Sequence, residues 1–280
     1  MREGRVVVLS DYVGGGPSAG GAGIVVLDSF RALRAAGVDA RLLVGFGENP
    51  GVEEDRFLSL GGRDLREGGP VDFVRAIFNP DAAARLRAAL EGCDPDRTVV
   101  ILHQWTRFLS PAALRPLARF PVMVYMHDHF WACPNGAYYD FRLGEPCRRR
   151  PLGPACCAAD CDRAGRAVKI GRLARGFARA GTAGRSRRLF LHLSDHAWRV
   201  VAPLLPGEPH AIVHNPLAVP ATPPDPAPTP EHEVGFIGRI EPEKGADLLA
   251  DAAASSHCRR AGTKPGDWSC RRRWRRACRS

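Results

Sequence analysis

The sequence lacks any apolar run approaching the roughly 20 residues that a membrane-spanning helix needs. It also lacks the core of a secretory leader, because the apolar run at 6–9 is short and ends in Ser10. Aromatic residues are sparse, at 8% of 280 residues, but hydrophobic residues reach 45%, which is enough to build a sizeable core. These features predict a soluble, folded chain in the cytoplasm.

Acidic residues are scarce in two segments, and the net positive charge of these segments exceeds the net charge of +10 of the whole chain. Segment 163–194 has nine Lys or Arg and no acid, and segment 255–280 has eight Arg and one Lys against one Asp. The basicity is therefore confined to two patches. We expect no nucleic acid partner for the chain as a whole.

The tail 255–280 has no hydrophobic periodicity of the helical or the strand kind, and it is rich in Arg, Cys and Trp. This composition is typical of GC-rich coding DNA read out of frame, so we expect the chain to be truncated or frameshifted after about residue 254. The alternative is a genuine basic tail. In that case the chain would be a non-enzymatic binding protein for nucleic acid or anionic lipid.

Up to that tail, short β-branched runs alternate with Ala/Leu-rich segments at helical spacing. The first such helix places Val26, Phe30 and Leu33 on one face and is closed by Gly37. The alternation predicts an α/β fold with a Rossmann-like, doubly wound parallel sheet. The predicted strands are 6–9, 40–44, 98–102, 122–126, 188–193 and 211–213.

The domain organisation follows from composition. Residues 1–218 form the predicted first domain, with a Cys-rich insertion at 128–165. A Pro-rich linker at 219–232 follows, and 233–254 reads as the first strand-loop-helix of a second domain. One such unit cannot bury both faces of a sheet, so the second domain is expected to be incomplete.

A glycine-rich loop follows the first predicted strand. Its Gly14-x-Gly16-x-x-Ala19 spacing fits the fingerprint that lets backbone N–H groups approach a pyrophosphate. The acidic residue expected at the end of the second strand is missing, since 45–47 is Gly-Phe-Gly. The loop leaves three alternatives open: a phosphate-related site, an NAD-dependent oxidoreductase and a flexible surface loop.

Five cysteines cluster in the Cys-rich insertion. Four thiolates, or three with a histidine, could hold a tetrahedral zinc that orders a segment with little core of its own. The spacing is not a paired C-x-x-C, so free thiols and disulfides are the alternatives. The five residues are Cys133, Cys147, Cys156, Cys157 and Cys161.

The basic segment 163–188 has the spacing of an amphipathic helix, with Ile170, Leu173 and Phe177 on one face. One interpretation is a peripheral membrane contact, in which the helix docks to anionic lipid head groups. The other is a helix whose apolar stripe faces the sheet and whose charges are solvated. The glycines at 165, 171, 176 and 181 favour the second interpretation, because glycine weakens an autonomous helix.

The opening of the second domain carries the most specific motif. Residues 236–249 read FIGRIEPEKGADLL. This string resembles the signature that opens the second domain of family 4 glycosyltransferases of the GT-B fold. The glycine-rich loop, the His127-Asp128 pair and the His-Asn-Pro turn at 214–216 also fall where such enzymes have corresponding features. The resemblance extends over 5–254.

The resemblance implies roles for individual residues. In that family an Arg and a Lys of the motif grip the diphosphate of a nucleotide-sugar donor, which implies this role for Arg239 and Lys244. A planar guanidinium and a mobile ammonium suit a leaving diphosphate. The family's glycine-rich loop approaches donor phosphate and acceptor, which implies the same for Gly15 and Gly16. His127 corresponds to a histidine near the transferred sugar and is the candidate catalytic residue.

The implied activity is that of a retaining glycosyltransferase without a catalytic metal. It would move a sugar from a nucleotide-sugar donor to a glycan or lipid-linked acceptor in polysaccharide biosynthesis, at the inner membrane face if 163–188 contacts lipid. The family's paired glutamates lie further along the second domain. Glu233 and Glu241 have the same spacing but flank the wrong strand, so transfer by this chain alone is not expected.

Overall fold

The computed structural model describes residues 4–14, 20–182, 187–215 and 245–252. The chain forms two compact units, Met1–Leu217 and Ala218–Ser280. In the second unit, 246–252 are helical, within the predicted helix. The predicted linker 219–232, the strand predicted after it and the tail 255–280 lie outside the described residues.

Strands and helices alternate along the first unit. The strands are β1 (Arg5–Ser10), β2 (Asp39–Val44), β3 (Phe57–Ser59), β4 (Thr98–Leu102), β5 (Val122–Met126), β6 (Tyr139–Asp140), β7 (Glu145–Pro146), β8 (Arg188–His192) and β9 (His210–Ile212). The α-helices are α1 (Gly20–Ala35), α2 (Pro70–Ile77), α3 (Pro80–Ala89), α4 (Leu114–Leu117), α5 (Pro154–Ala158), α6 (Arg166–Thr182) and α7 (Asp195–Val201). Within the described stretches, no helix has the length and apolar character needed to cross a membrane.

Seven strands form one sheet in the order β3-β2-β1-β4-β5-β8-β9, and each neighbouring pair is parallel. The chain moves outward from β1 to β3 and then returns to the other side of β1 with β4. The strand order therefore reverses between β1 and β4, and the crevice outside the carboxyl ends at such a reversal is where ligands bind in open α/β sheets. The predicted doubly wound sheet is confirmed, and strands 98–102 and 122–126 were predicted with their observed bounds.

Side chains of β1 alternate between two cores. Val7 and Leu9 are buried in a large cluster with residues of α3 and α4. Val8 points to the other face and packs against Val26 and Phe30 of α1. Because the central strands are covered on both faces, they consist of continuous apolar runs rather than alternating ones. The predicted apolar face of the first helix is confirmed by this packing.

The end of α1 is set by Gly37, which has a φ of 77°. Its N–H donates to the carbonyl of Arg34 at 2.9 Å, and the N–H of Val38 donates to the carbonyl of Leu33 at 3.0 Å. This pair of hydrogen bonds is a Schellman motif, in which glycine adopts the left-handed conformation without steric cost. The predicted end of the helix at this glycine is confirmed.

The Cys-rich insertion is held together by polar contacts. The β6–β7 hairpin is antiparallel. The amide of Asn135 donates to the carbonyls of Tyr139 and Cys161 at 2.9 and 3.0 Å. Asp140 is buried and accepts from Arg149 at 2.6 Å. These bonds between backbone and polar side chains compensate for the small apolar content of the segment.

Helix α6 coincides with most of the predicted basic segment but buries an unexpected set of residues. Lys169 and Arg175 are only 1% and 8% exposed, whereas Ile170 and Phe177 are 59% and 52% exposed. The interpretation that the charges are solvated is therefore wrong for these two cations. Both have polar partners, thiols for Lys169 and a backbone carbonyl for Arg175, and such partners make burial of a cation tolerable.

Candidate functional site

Three adjacent strands end in polar residues at the carboxyl edge of the sheet. Asp11 follows β1, His103 follows β4, and His127 and Asp128 follow β5. Because β1 pairs with β4 and β4 pairs with β5 in parallel register, these residues emerge side by side. The topology therefore places titratable groups at the point of reversal in strand order.

Asp11 fixes the loop that follows β4. Its carboxylate is fully buried and accepts three backbone hydrogen bonds, from the N–H groups of Arg107 at 2.7 Å, Phe108 at 3.0 Å and Leu109 at 2.8 Å. Burial raises the pKa of Asp11, and the three N–H donors oppose that rise. Sequence reasoning missed this residue, although an acid directly after a buried parallel strand was a usable signal.

His127 forms a hydrogen-bonded pair with His103. The Nε2 atom of His127 lies 2.8 Å from Nδ1 of His103, so one ring nitrogen donates and the other accepts. Both rings stack on Tyr125, with centroid separations of 4.7 and 4.8 Å. The structure thus places the predicted catalytic histidine at the carboxyl edge and adds a buried histidine partner that sequence reasoning missed.

The electrostatic surroundings keep the histidine pair neutral at pH 7. Burial, together with the neighbouring His127, lowers the pKa of His103 to about 3, and burial lowers the pKa of His127 to about 4. Within the described part of the chain, Nε2 of His103 and the hydroxyl of Tyr125 are buried without a hydrogen-bond partner. Neutral imidazoles can both donate to and accept from sugar hydroxyl groups.

The remaining residues predicted for the donor side lie outside the described residues. They are Gly15, Gly16, Arg239 and Lys244, and their roles stay predictions.

A cavity of about 420 Å³ opens beside Asp128, between α2, α6 and the loop after β4. We call it the arginine cavity, because four guanidinium groups line it together with an apolar wall from α2 and α6. The arginines are Arg66, Arg107, Arg172 and Arg175, and the apolar wall includes Phe73, Ile77, Phe130 and Val168. A concave, largely apolar site with a few polar groups has the form of a small-molecule site.

Asp128 contributes the carboxyl group of the arginine cavity. One of its oxygens accepts from the backbone N–H of Phe130 at 3.0 Å. Burial raises the pKa of Asp128 to about 6, although the charges of Arg175 and Arg172 oppose the rise. A carboxyl group with a pKa near 6 can take up or release a proton close to neutral pH, as a general acid or base must.

Lys169 holds part of the cysteine cluster. Its Nζ atom lies 3.1 Å from Sγ of Cys161 and 3.6 Å from Sγ of Cys156. Burial opposes the charge, but the neighbouring thiols raise the pKa of Lys169 above its ordinary value. The ammonium therefore stays charged inside the insertion.

The other thiols face different partners. Cys133 donates to the side-chain oxygen of Asn135 at 3.1 Å, and Sγ of Cys157 lies 3.6 Å from the carbonyl of Leu152. All six described cysteines are free. Across the described stretches, no group of three or more His, Cys, Asp or Glu residues is arranged to hold a metal ion. The zinc interpretation of the five cysteines stays a prediction, beside the free-thiol and disulfide alternatives.

Replacement of Cys161 by alanine is expected to lower the free energy of unfolding by roughly 1–3 kcal/mol, because the buried ammonium of Lys169 loses its nearest partner. Urea unfolding measures the change. The double variant C161A/K169M should recover part of the loss, since no buried charge is left unpaired. Cys157→Ala is the matched control. A double variant no more stable than C161A would contradict the pairing.

Comparison with known proteins places the chain in a family. A family model described as Glycosyltransferase Family 4 matches residues 19–163, which is just over half of the chain. The match includes β4, β5, the His103–His127 pair and part of the Cys-rich insertion. A search of curated proteins finds no match.

Proposed function

Since this chain belongs to glycosyltransferase family 4, we propose that it serves to transfer a sugar from a nucleotide-sugar donor to a glycan or lipid-linked acceptor. The domain built on its parallel sheet is the N-terminal domain of a GT-B glycosyltransferase. The observation that carries the proposal is the His103–His127 pair at the carboxyl edge of this sheet, within the stretch that the family matches.

In this proposal His127 contacts the transferred sugar. Its neutral ring offers a hydrogen bond to a sugar hydroxyl without placing a charge in the site, and His103 fixes the orientation of the ring. Asp128 directly follows His127 and has a pKa near 6. In this proposal it receives the proton that the acceptor hydroxyl loses. Catalysis then rests on positioning and on proton transfer by this chain's own side chains.

The donor side of the proposal rests on residues that the resemblance supplies. Arg239 and Lys244 would neutralise the leaving diphosphate, and Gly15 and Gly16 would let the backbone approach donor and acceptor. The transfer would retain the anomeric configuration and need no catalytic metal. The paired glutamates of the second domain are not recognisable in this sequence, so we propose that the 280-residue chain alone does not complete the transfer.

A peripheral contact with the inner membrane face is part of the same proposal. Ile170 and Phe177 are exposed on α6, seven residues apart and hence on one side of the helix. Exposed apolar side chains on a basic helix suit an anionic lipid surface. Flotation with anionic vesicles tests the contact, and the double variant I170S/F177S should float less than the parent chain.

The transfer itself is tested by comparing two proteins. One is the 280-residue chain. In the other, residues 255–280 are replaced by the translation of the alternative reading frame of the coding DNA that continues the helix at 246–252. Each is incubated with radiolabelled nucleotide sugars and with either soluble glycans or lipid extract. The longer protein is expected to transfer label, and substitution H127A should reduce its rate by at least tenfold, since a positioned hydrogen-bonding or proton-transfer group contributes about that much or more.

Two outcomes separate the parts of the proposal. Transfer by the 280-residue chain would contradict its inactivity and leave the glycosyltransferase function intact. If no reading frame continues the helix, or if the longer protein transfers no label from any donor, the proposed function is wrong for this chain.

A further inference from the structure

The arginine cavity has a guanidinium group that its surroundings leave unsatisfied. Arg175 is only 8% exposed, and its Nη1 donates to the carbonyl of Thr106 at 3.1 Å. Its Nη2 is buried and has no hydrogen-bond partner among the described residues. The guanidinium also lies over the Phe130 ring at 4.7 Å, which fixes its plane. An unpaired buried donor is destabilising, so its retention points to a ligand that completes it.

A second buried atom among the lining residues of the cavity lacks a partner. Oε1 of Gln104 is buried without a hydrogen bond within the described stretches, and Gln104 lines the cavity with Arg175. One atom is a charged donor and the other a neutral acceptor. A ligand that satisfies both must offer an acceptor and a donor. An anionic oxygen is the strongest acceptor for a guanidinium group, and a sugar hydroxyl is a suitable donor to the amide oxygen.

Arg175 is the guanidinium group of the cavity that has no ion pair among the described residues. Arg66 pairs with Asp64 at 2.8 Å, and Arg107 shares the same carboxylate at 3.4 Å. Arg172 pairs with the buried Asp162 at 2.9 Å. The carboxylates of Asp128, Asp11 and Asp162 act on Arg175 only through their charge, so its guanidinium keeps its donors for a ligand.

The apolar wall of the cavity includes residues of both helices. Phe73 and Ile77 come from α2 and Val168 comes from α6. Such a wall suits the C–H face of a sugar ring or the first carbons of a lipid chain, beside the polar atoms that orient the ligand.

We propose that the arginine cavity binds an oxyanion carried by the acceptor, with Arg175 as the main anchor and Gln104 accepting from a sugar hydroxyl. The inference rests on the proposed transferase function and narrows its acceptor class to anionic sugars. The oxyanion is the phosphate of a soluble sugar phosphate or of a lipid-linked sugar. Arg175 is a binding residue here, since no bond is formed or broken at the guanidinium.

Binding to the full 280-residue chain tests the proposal without a donor. Isothermal titration at constant ionic strength compares glucose 6-phosphate, inorganic phosphate, glucuronate and glucose as probes. Glucose 6-phosphate is expected to bind at least tenfold more tightly than glucose. Vesicles with a polyprenyl phosphate, set against vesicles with phosphatidylglycerol, separate a lipid source from a soluble one.

Variants assign the binding to the cavity. Arg175→Gln is expected to weaken glucose 6-phosphate binding at least tenfold, and Arg175→Lys should bind with intermediate affinity because lysine keeps the charge but not the planar fork. Arg31→Gln, on the exposed side of α1, is the matched control and should bind like the parent chain. Binding that remains in R175Q reports on any capture of anions by the arginines of the tail, which all three variants share.

The outcomes distinguish this inference from the proposed function. Unchanged binding in R175Q, or equal binding of glucose and glucose 6-phosphate, would overturn the anionic acceptor even if the longer protein transfers sugar. Binding that is lost in R175Q supports the cavity even if no transfer is found. Should R175Q fail to fold by circular dichroism, the R175K variant decides the question by the same comparison.

Discussion

Replacing Asp11 by alanine should lower the free energy of unfolding by about 3–5 kcal/mol, because three backbone N–H groups, two of them buried, lose their acceptor at once. A change of that size is a large share of the 5–15 kcal/mol typical of a domain. Asp11→Asn should cost about half as much, since one carbonyl oxygen remains. The side-chain NH2 group of the new asparagine is a donor, and it would face the N–H of one loop residue, so that one hydrogen bond is still lost.

Urea unfolding followed by circular dichroism measures the series. Asp96→Ala is the control, because its carboxylate is 90% exposed and lies 3.7 Å from Arg187, and an exposed pair of this kind contributes little. A D11A variant within about 1 kcal/mol of the parent chain would show that the loop after β4 finds other acceptors or water. The loop carries Gln104 and Arg107, so a stable D11N variant should also bind the cavity probes more weakly.

The sheet could be predicted from the sequence because its central strands are short apolar runs bounded by turn residues. The bounds of β4 and β5 could be predicted directly, because each strand is an apolar run that is buried or half-buried on both faces and stops at a histidine. The edge strand β3 was missed. It has only three residues, none fully buried, so neither apolar continuity nor alternation marks it.

The arrangement of α6 could not be predicted in the same way. Helical periodicity assigns charged residues to the solvent face, yet Lys169 and Arg175 point inward because thiols and a carbonyl from distant segments meet them there. Those partners become neighbours only through the fold. The same holds for His103, whose contact with His127 depends on the pairing of β4 with β5. The candidate catalytic histidine was predictable by resemblance, and its partner was not.

Acidification should destabilise the chain between about pH 6.5 and pH 4 through the histidine pair. The pKa values of His103 and His127 are lowered to about 3 and about 4 in the folded chain, below the ordinary value of 6.5. The unfolded chain therefore binds more protons in this window. The stability that the neutral rings contribute is complete above pH 6.5 and is lost as the pH falls toward the folded-state pKa values.

Other groups modify the size of the effect without reversing it. Burial also lowers the pKa of His129 and His192, which adds to the loss. Asp128 and Asp11 work in the opposite direction, because burial raises the pKa of both carboxyl groups, to about 6 for Asp128, and their protonation favours the folded state. Each histidine of the pair loses about 2 kcal/mol between pH 7 and pH 5, while Asp128 returns about 1 kcal/mol, so these three groups together give a net loss of about 2–3 kcal/mol.

Urea unfolding at pH 7, 6 and 5 measures this loss, and substitution isolates its source. In His103→Gln the difference between pH 7 and pH 5 should shrink by about 2 kcal/mol, because glutamine does not titrate in this range. His214→Gln is the matched control, since this histidine is exposed and lies outside the buried pair. If H103Q and the parent chain lost the same stability on acidification, the buried pair would not be the titrating element. The lowered pKa values of the two histidines would then not account for neutral rings at pH 7, and the proposed contact of a neutral His127 with the sugar would lose this support.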